Sequence, residues 1–352
     1  MSMMLDAQLP QGRTIASTRN TRVRWVDDVK LFACILVVLG HFFQSMQSAH
    51  IISDSPVLQW FDRTIYFFHV PLFFICSGYL YLRAPRKDTP AATGSRILHR
   101  IVSLGIPYII FSVITWLLKA VLSSSVNNPS RFSLLETLFL EPLSPYWYLY
   151  VLLLFQLLIP RLRSFKGILA LLITAAVLSI GCDLLPLQST LLIYLFSNMV
   201  WFVAGMFLAS VSAPPLSHRL MLIIGALLGA VFIALSVFVS LQSISFPGLS
   251  SLMGLLGCTA TLLVFSSAAH SSAAPRKSTQ LASLTYPIFM LHTLFAAPVR
   301  ILLQKLGINA VPIHIAAGLA ISFIGPVLTH YISRLIKPVD FMLYPQKYIH
   351  LK

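Results

Sequence analysis

Two side chains with a spacing that suits chemistry stand on the first long apolar run, Trp25 to Gln47. Lys30 and His41 are eleven positions apart, almost three turns of a helix, so they share one stripe roughly 16 Å apart along its axis. Asp27 falls on the same stripe. A charge at the edge of an apolar layer and an imidazole sunk inside it are costly to keep, which marks the run as a place for proton transfer or polar-ligand binding. The bland reading makes Asp27 and Lys30 interfacial anchors and His41 a hydrogen-bonded packing residue. Spacing alone leaves both open.

A second apolar run, YFFHVPLFFICSGYL, carries His69 with Pro71, Ser77 and Gly78 behind it. This run returns in the direction opposite to the first, so His41 and His69 both fall five or six residues from the same membrane face. Two imidazoles can then occupy one layer. Pro71 removes a backbone hydrogen bond beside His69 and leaves a carbonyl that a cavity, water or neighbouring helix must satisfy. Later, SLTYPIFMLHTLF places Tyr286 and His292 around Pro287, with His292 near mid-membrane, where it could line the same cavity. Trp147 and Tyr148 open the run WYLYVLLLFQLLIP, and an interfacial aromatic belt accounts for such residues as well as a site does. His314 and His330 read as packing or interfacial residues. Arg96 and Arg100 are four apart on one helical face, level with Lys30. Such a cluster suits a ligand with several phosphates, because guanidinium groups grip phosphate through two donors. It serves equally as a topology signal or a lipid headgroup contact.

The elements that position these residues are membrane helices. The 352 residues are 57% apolar and only 10% charged, with a mean hydropathy of +0.83, far beyond what a soluble core of this length needs. The expected fold class is all-α, a polytopic membrane protein of about ten transmembrane helices, at 27–47, 64–82, 101–120, 146–160, 167–186, 190–211, 218–241, 247–268, 282–304 and 311–335. Nineteen Lys and Arg side chains fall on one set of alternating connections and the termini, against Arg63, Lys119, Arg131, Arg300 and Lys305 on the other. Both termini are therefore expected in the cytoplasm. The expected organisation is a flexible basic tail over 1–24, a ten-helix domain over 25–337 and a short cytoplasmic tail over 338–352. The first run is read as a retained helix rather than a cleaved signal, being long for a signal core. The connection 121–145 is long enough to be a lid or a partly embedded re-entrant piece, or a plain solvated linker.

The net charge of +15 sits in short loops between apolar runs, so it reads as membrane topology rather than nucleic-acid binding. Cys34, Cys76, Cys182 and Cys258 have no metal or redox spacing, and no metal site is expected. No Walker, GxGxxG, GxSxG or HExxH motif stands in a usable context. The spans also lack the acidic pairs of a proton or sodium transporter.

Taken in order, DDVKLFACILVVLGH, FHVPLFFICSGYL, RILHRIVSLGIPY, WYLYVLLLFQLLIP and LTYPIFMLH resemble the motif series of the membrane acyltransferase-3 family. The resemblance covers nearly the whole chain. It implies a stand-alone integral-membrane O-acyltransferase of the bacterial inner membrane. Such a protein moves an acyl group, typically acetyl, from cytoplasmic acyl-CoA to a hydroxyl of a surface or lipid-linked glycan. The family's basic residue and histidine carry over onto Lys30 and His41, with Lys where many members have Arg. The combined expectation gives His41 and His69 catalytic roles, and Lys30, Arg96 and Arg100 the phosphates of acyl-CoA. Asp27, Ser77, Trp147, Tyr286 and His292 are expected to support them. Acyl-CoA is a co-substrate, no cofactor is held permanently, and membrane lipids surround the whole. The alternatives are a glycan or lipid exporter whose histidines line a passage, and a membrane scaffold for polysaccharide assembly.

Overall fold

The computed structural model describes residues 23–85, 89–123, 127, 131–211, 216–271 and 276–349. The tail expected over 1–24 lies almost wholly outside these residues. Among the described residues there is helix and no strand. The chain runs through α1 (Arg24–Ser48), α2 (Pro56–Arg83) and α3 (Pro90–Arg100), then a five-residue π-helical stretch (Ile101–Gly105) and α4 (Ile106–Val121). It continues through α5 (Leu134–Phe139), α6 (Trp147–Leu158), α7 (Phe165–Leu184), α8 (Thr190–Ser210) and α9 (His218–Leu241). The last helices are α10 (Leu249–Ser271), α11 (Arg276–Lys305), α12 (Val311–Ser333) and α13 (Lys337–Leu343).

Nine helical stretches among the described residues are long and apolar enough to cross a membrane, with Thr93–Val121 counted as one. The expected fourth span, 146–160, is present but short, running from the Ser144–His41 level to the Tyr81 and Ala84 end of α2. It forms only the 12-residue α6, about 18 Å of helix against a hydrocarbon layer of about 30 Å. Proline bounds it on both sides. Pro145 precedes it, and Ile159, the residue before Pro160, is driven to an extended conformation (φ −82°, ψ 120°), as the ring of a following proline dictates. Conversely, the stretch expected as a loop before residue 101 is already helical from Pro90.

α2 is the axis of the bundle. In its most apolar window 72% of residues are buried, against 17% for α7 and 22% for α9, whose leucines and isoleucines face outward as lipid-facing side chains do. On α1 the inner stripe is Val26, Val29, Ala33, Val37 and Gly40, spaced three and four apart as one helical face requires. α2 and α8 cross with their backbones in contact: a Cβ on Gly78 would lie 1.8 Å from the Phe202 carbonyl oxygen, and one on Gly205 2.0 Å from that of Ile75. Small residues allow such crossings where lipid gives no hydrophobic drive for association.

The connection between α4 and α6 folds back on the bundle. Its helix α5 carries a capping box, Ser133 with Glu136. Tyr108 donates to the Leu138 carbonyl at 2.7 Å, and Tyr146, fully buried, donates to that of Met290 at 3.2 Å.

Candidate functional site

His41 occupies the fifth turn of α1, and its neighbours come from two distant elements. Its Nε2 lies 3.3 Å from the Ser144 hydroxyl, contributed by the stretch before α6. Its ring stacks on His292 of α11 at 5.4 Å between centroids and 29° between planes. Ser144 can donate to Nε2 in the tautomer that leaves this nitrogen unprotonated, the one whose lone pair an arriving hydroxyl could take over from Ser144.

His69 and His292 have their tautomers set by their own helices. His69 Nδ1 lies 2.5 Å from the Ile65 carbonyl oxygen, and His292 Nδ1 lies 3.0 and 2.9 Å from those of Ile288 and Phe289. A carbonyl only accepts, so each Nδ1 carries the proton and each Nε2 keeps a lone pair. His292 is 1% exposed and its Nε2 has no hydrogen-bond partner. The Tyr66 ring meets His69 edge-on at 4.6 Å and 86°. Pro71 frees the carbonyl of Phe67, and Gly254 of α10 comes close against that oxygen; a Cβ there would lie 2.7 Å from it. The neighbouring Phe68 carbonyl accepts from the Cys258 thiol at 3.6 Å. The loosened turn beside His69 is thus braced by α10.

His41 and His69 line one cavity of about 910 Å³. It reaches from Val37 to Ser48 along α1, toward that helix's Ser48 end. One wall is polar and small: Ser179 and Asp183 of α7, Ser197 and Asn198 of α8, Ser250 and Ser251 of α10. Asp183 accepts the Gly248 backbone N–H at 2.9 Å, and the Ser179 and Ser251 hydroxyls are 3.4 Å apart. Aromatic rings complete it. Trp147, Tyr194 and Trp201 line the cavity, Trp147 and Tyr194 stacking at 4.2 Å and 20°. Flat rings beside hydroxyl and amide groups give both apolar faces and hydrogen bonds, the mixture that a polyhydroxylated ligand needs.

The expected site residues divide into two groups. His41, His69 and Trp147 line the cavity, and His292 backs His41. Ser77 acts one step removed: its hydroxyl lies 2.9 Å from that of Tyr148, which lines the cavity and donates to the Phe73 carbonyl at 3.3 Å. Lys30, Arg96 and Arg100 do not line it, nor do Asp27 and Tyr286. Lys30 and Asp27 sit close enough to Cys76 of α2 to act on it electrostatically, and Arg100 likewise faces Tyr81 and Arg96. Arg96 donates to the Thr93 hydroxyl at 2.9 Å. Tyr286 packs on Tyr344 at 5.7 Å. Along α2 the order is therefore His69, then Phe73 and Phe74, then Cys76 and Tyr81. At the middle level Phe73, Phe74, Tyr148 and Phe289 interlock at 4.8 to 6.0 Å and floor the cavity, with the basic cluster beyond.

Sequence reading missed several cavity residues, Ser144, Gln44 and Tyr66 among them. Ser144 lies in an irregular stretch with no periodicity to place it. Tyr66, Gln44 and Asp62 form a chain in which Tyr66 donates to Gln44 at 3.2 Å and Gln44 to Asp62 at 2.8 Å. Tyr66 lies three residues before His69, so one turn of the same helix could have flagged it.

Among the described residues no group of three or more metal-ligating side chains exists. Comparison with known proteins gives a family and one distant relative. The family model described as an acyltransferase domain, of the acyltransferase-3 type, matches residues 23–331. The nodulation protein NolL of Mesorhizobium japonicum is 28% identical over 184 residues, covering 51% of this chain and 46% of that protein. The match thus spans about half of either chain. No solved structure matches.

Proposed function

This chain belongs to the acyltransferase-3 family, and from that premise we propose that it is an integral-membrane O-acyltransferase. It moves a small acyl group, typically acetyl, from acyl-CoA to a hydroxyl of a surface or lipid-linked saccharide. The observation that carries the reading is the placement of His41 and His69, from sequential helices, on one cavity whose lining is otherwise rich in hydroxyl and aromatic groups.

His41 is the general base. Its Nε2 takes the proton of the acceptor hydroxyl as that oxygen attacks the thioester carbonyl carbon. The tetrahedral intermediate then expels the CoA sulfur, which receives the proton back from the imidazolium. Such a positioned base contributes about 10²–10⁴-fold. His292, stacked on His41, fixes the plane of that ring. His69, its Nδ1 proton committed to Ile65, offers an accepting Nε2, so it holds the acceptor hydroxyl or relays its proton rather than polarising a carbonyl.

The Arg24 end of the bundle faces the cytoplasm, where Lys30, Arg96 and Arg100 gather the phosphates of acyl-CoA. The thioester end reaches along α1 over the roughly 16 Å between the positions of Lys30 and His41, past the floor made by Phe73, Tyr148 and Phe289. Those rings must part as the donor arrives. The acceptor comes from the Ser48 end, where the cavity lies.

The test is reconstitution. Purified protein in vesicles, given radiolabelled acetyl-CoA and a lipid-linked saccharide, should release CoA in step with formation of a base-labile acyl ester on the saccharide. Movement of the saccharide across the vesicle without CoA release would instead support an exporter.

A further inference from the structure

Arg300 of α11 is 6% exposed and lines the cavity. Its Nη1 donates to the Asn127 side-chain oxygen at 2.7 Å, and Asn127 in turn donates to the Ser45 carbonyl at 2.9 Å. Its Nε is buried with no hydrogen-bond partner. Among the described residues no carboxylate forms an ion pair with it. A buried guanidinium without a counter-charge is unfavourable unless something supplies one. Asn127, a neutral acceptor, does not.

The surroundings point the same way. Phe289, Thr293, Ala297, Arg300 and Ile301 put one face of α11 on the cavity, and Lys119 of α4 adds a second cation to its lining. Asp183, the acid among the lining residues, belongs to α7 and is engaged with the Gly248 backbone N–H. Arg300 follows His292 by eight residues, about 12 Å along the helix, so a ligand reaching His41 can also reach Arg300.

We propose that Arg300, with Lys119 as a second cation in the same cavity lining, forms an anion subsite for the acceptor, which is therefore an acidic saccharide ligand carrying a carboxylate or phosphate. This rests on the acceptor reading of the cavity given above. The anion comes from an acidic sugar or from the diphosphate of a lipid carrier; both present paired oxygens to the guanidinium fork.

The test is binding to the purified full-length protein in detergent, measured by calorimetry. The probes are a glucuronate-containing disaccharide, its carboxyl-reduced neutral counterpart, and geranyl diphosphate against geraniol. Wild type should prefer a charged probe over its neutral partner by about tenfold or more, the scale of one charge-assisted contact. The carboxylate pair responding identifies an acidic sugar, and the diphosphate pair a lipid carrier. Arg300→Gln should erase the preference. Asn127→Asp keeps the shape of that side chain and gives Arg300 an internal carboxylate, so it too should erase the preference while neutral probes bind as before. Equal binding of charged and neutral probes by wild type overturns the proposal, whatever the variants do. So does a preference that survives both substitutions in folded protein. Acyl transfer measured on the same samples separates the claims: an intact anion preference without any transfer overturns the enzymatic reading and leaves the subsite standing.

Discussion

Replacing Gly205 by Ala should disable the protein from a position that touches no substrate. The added Cβ would lie 2.0 Å from the Ile75 carbonyl oxygen, whereas ordinary contact begins at 3.4 Å, so α2 and α8 must separate locally by about 1.4 Å. The obstacle is backbone, and no rotamer change relieves it. Overpacking typically costs about 1–3 kcal/mol and sometimes more, and a clash of two main chains belongs at the upper end. The same movement shifts His69 and Phe73 on α2 against Tyr194 and Trp201 on α8, all four of which line the cavity. Gly205→Ala should therefore lower the melting temperature in detergent by several degrees, and the protein that remains folded should transfer acyl groups at least about tenfold more slowly, since misplacements of an ångström are that costly. A Gly181→Ala control, whose added Cβ meets nothing within 4 Å, should leave both unchanged. A Gly205→Ala variant that melts and turns over like wild type would refute the claim that this crossing sets the cavity.

Two further outcomes test other parts of the account. Arg100→Ala should raise KM for acyl-CoA by about tenfold or more, given about 1.5–3 kcal/mol for a hydrogen bond to a charged group, with KM for the saccharide unchanged; an unaltered donor KM would assign Arg100 to lipid contact. At the C-terminus, burial raises the Asp340 carboxyl, but hydrogen bonds from Lys347, Tyr348 and Ser333 and the charge of Lys347 outweigh it and hold its pKa below the usual carboxylate range. A depressed native pKa contributes stability that is complete above the unfolded value and fades as pH falls through the native one. Wild type should thus lose melting temperature below about pH 4, while Asp340→Asn, less stable at neutral pH, loses less over that range; parallel curves would show that this cluster contributes nothing to the acid sensitivity.

The helices were legible because lipid-facing and buried faces are both apolar, which makes each span a long unbroken run. The histidine layer was legible too. His41 and His69 sit on antiparallel neighbours at matching depth, and helical rise alone sets that depth. What the one-dimensional pattern could not carry was contact between distant segments. Ser144 meets His41 across 103 positions of chain and Arg300 meets Asn127 across 173, both through irregular backbone where no period fixes which way a side chain points. Arg300 looked like one of a few charges on the sparsely charged side, and only burial separates it from a loop cation. The short α6 is a different case. Its flanking prolines, Pro145 and Pro160, were visible, but apolar composition over fifteen positions outweighed them in the reading. The separation of Lys30, Arg96 and Arg100 from the cavity depends on how Phe73, Phe74, Tyr148 and Phe289 interlock, a packing fact with no local signature.

The account stands on His41 as the base that deprotonates the acceptor hydroxyl. The most direct measurement is acyl transfer from acetyl-CoA to a lipid-linked saccharide in vesicles by His41→Ala, at matched amounts of folded protein. The expected result is a fall in kcat of about 10²–10⁴-fold, with acyl-CoA binding retained. Transfer by His41→Ala within a few-fold of wild type would contradict it.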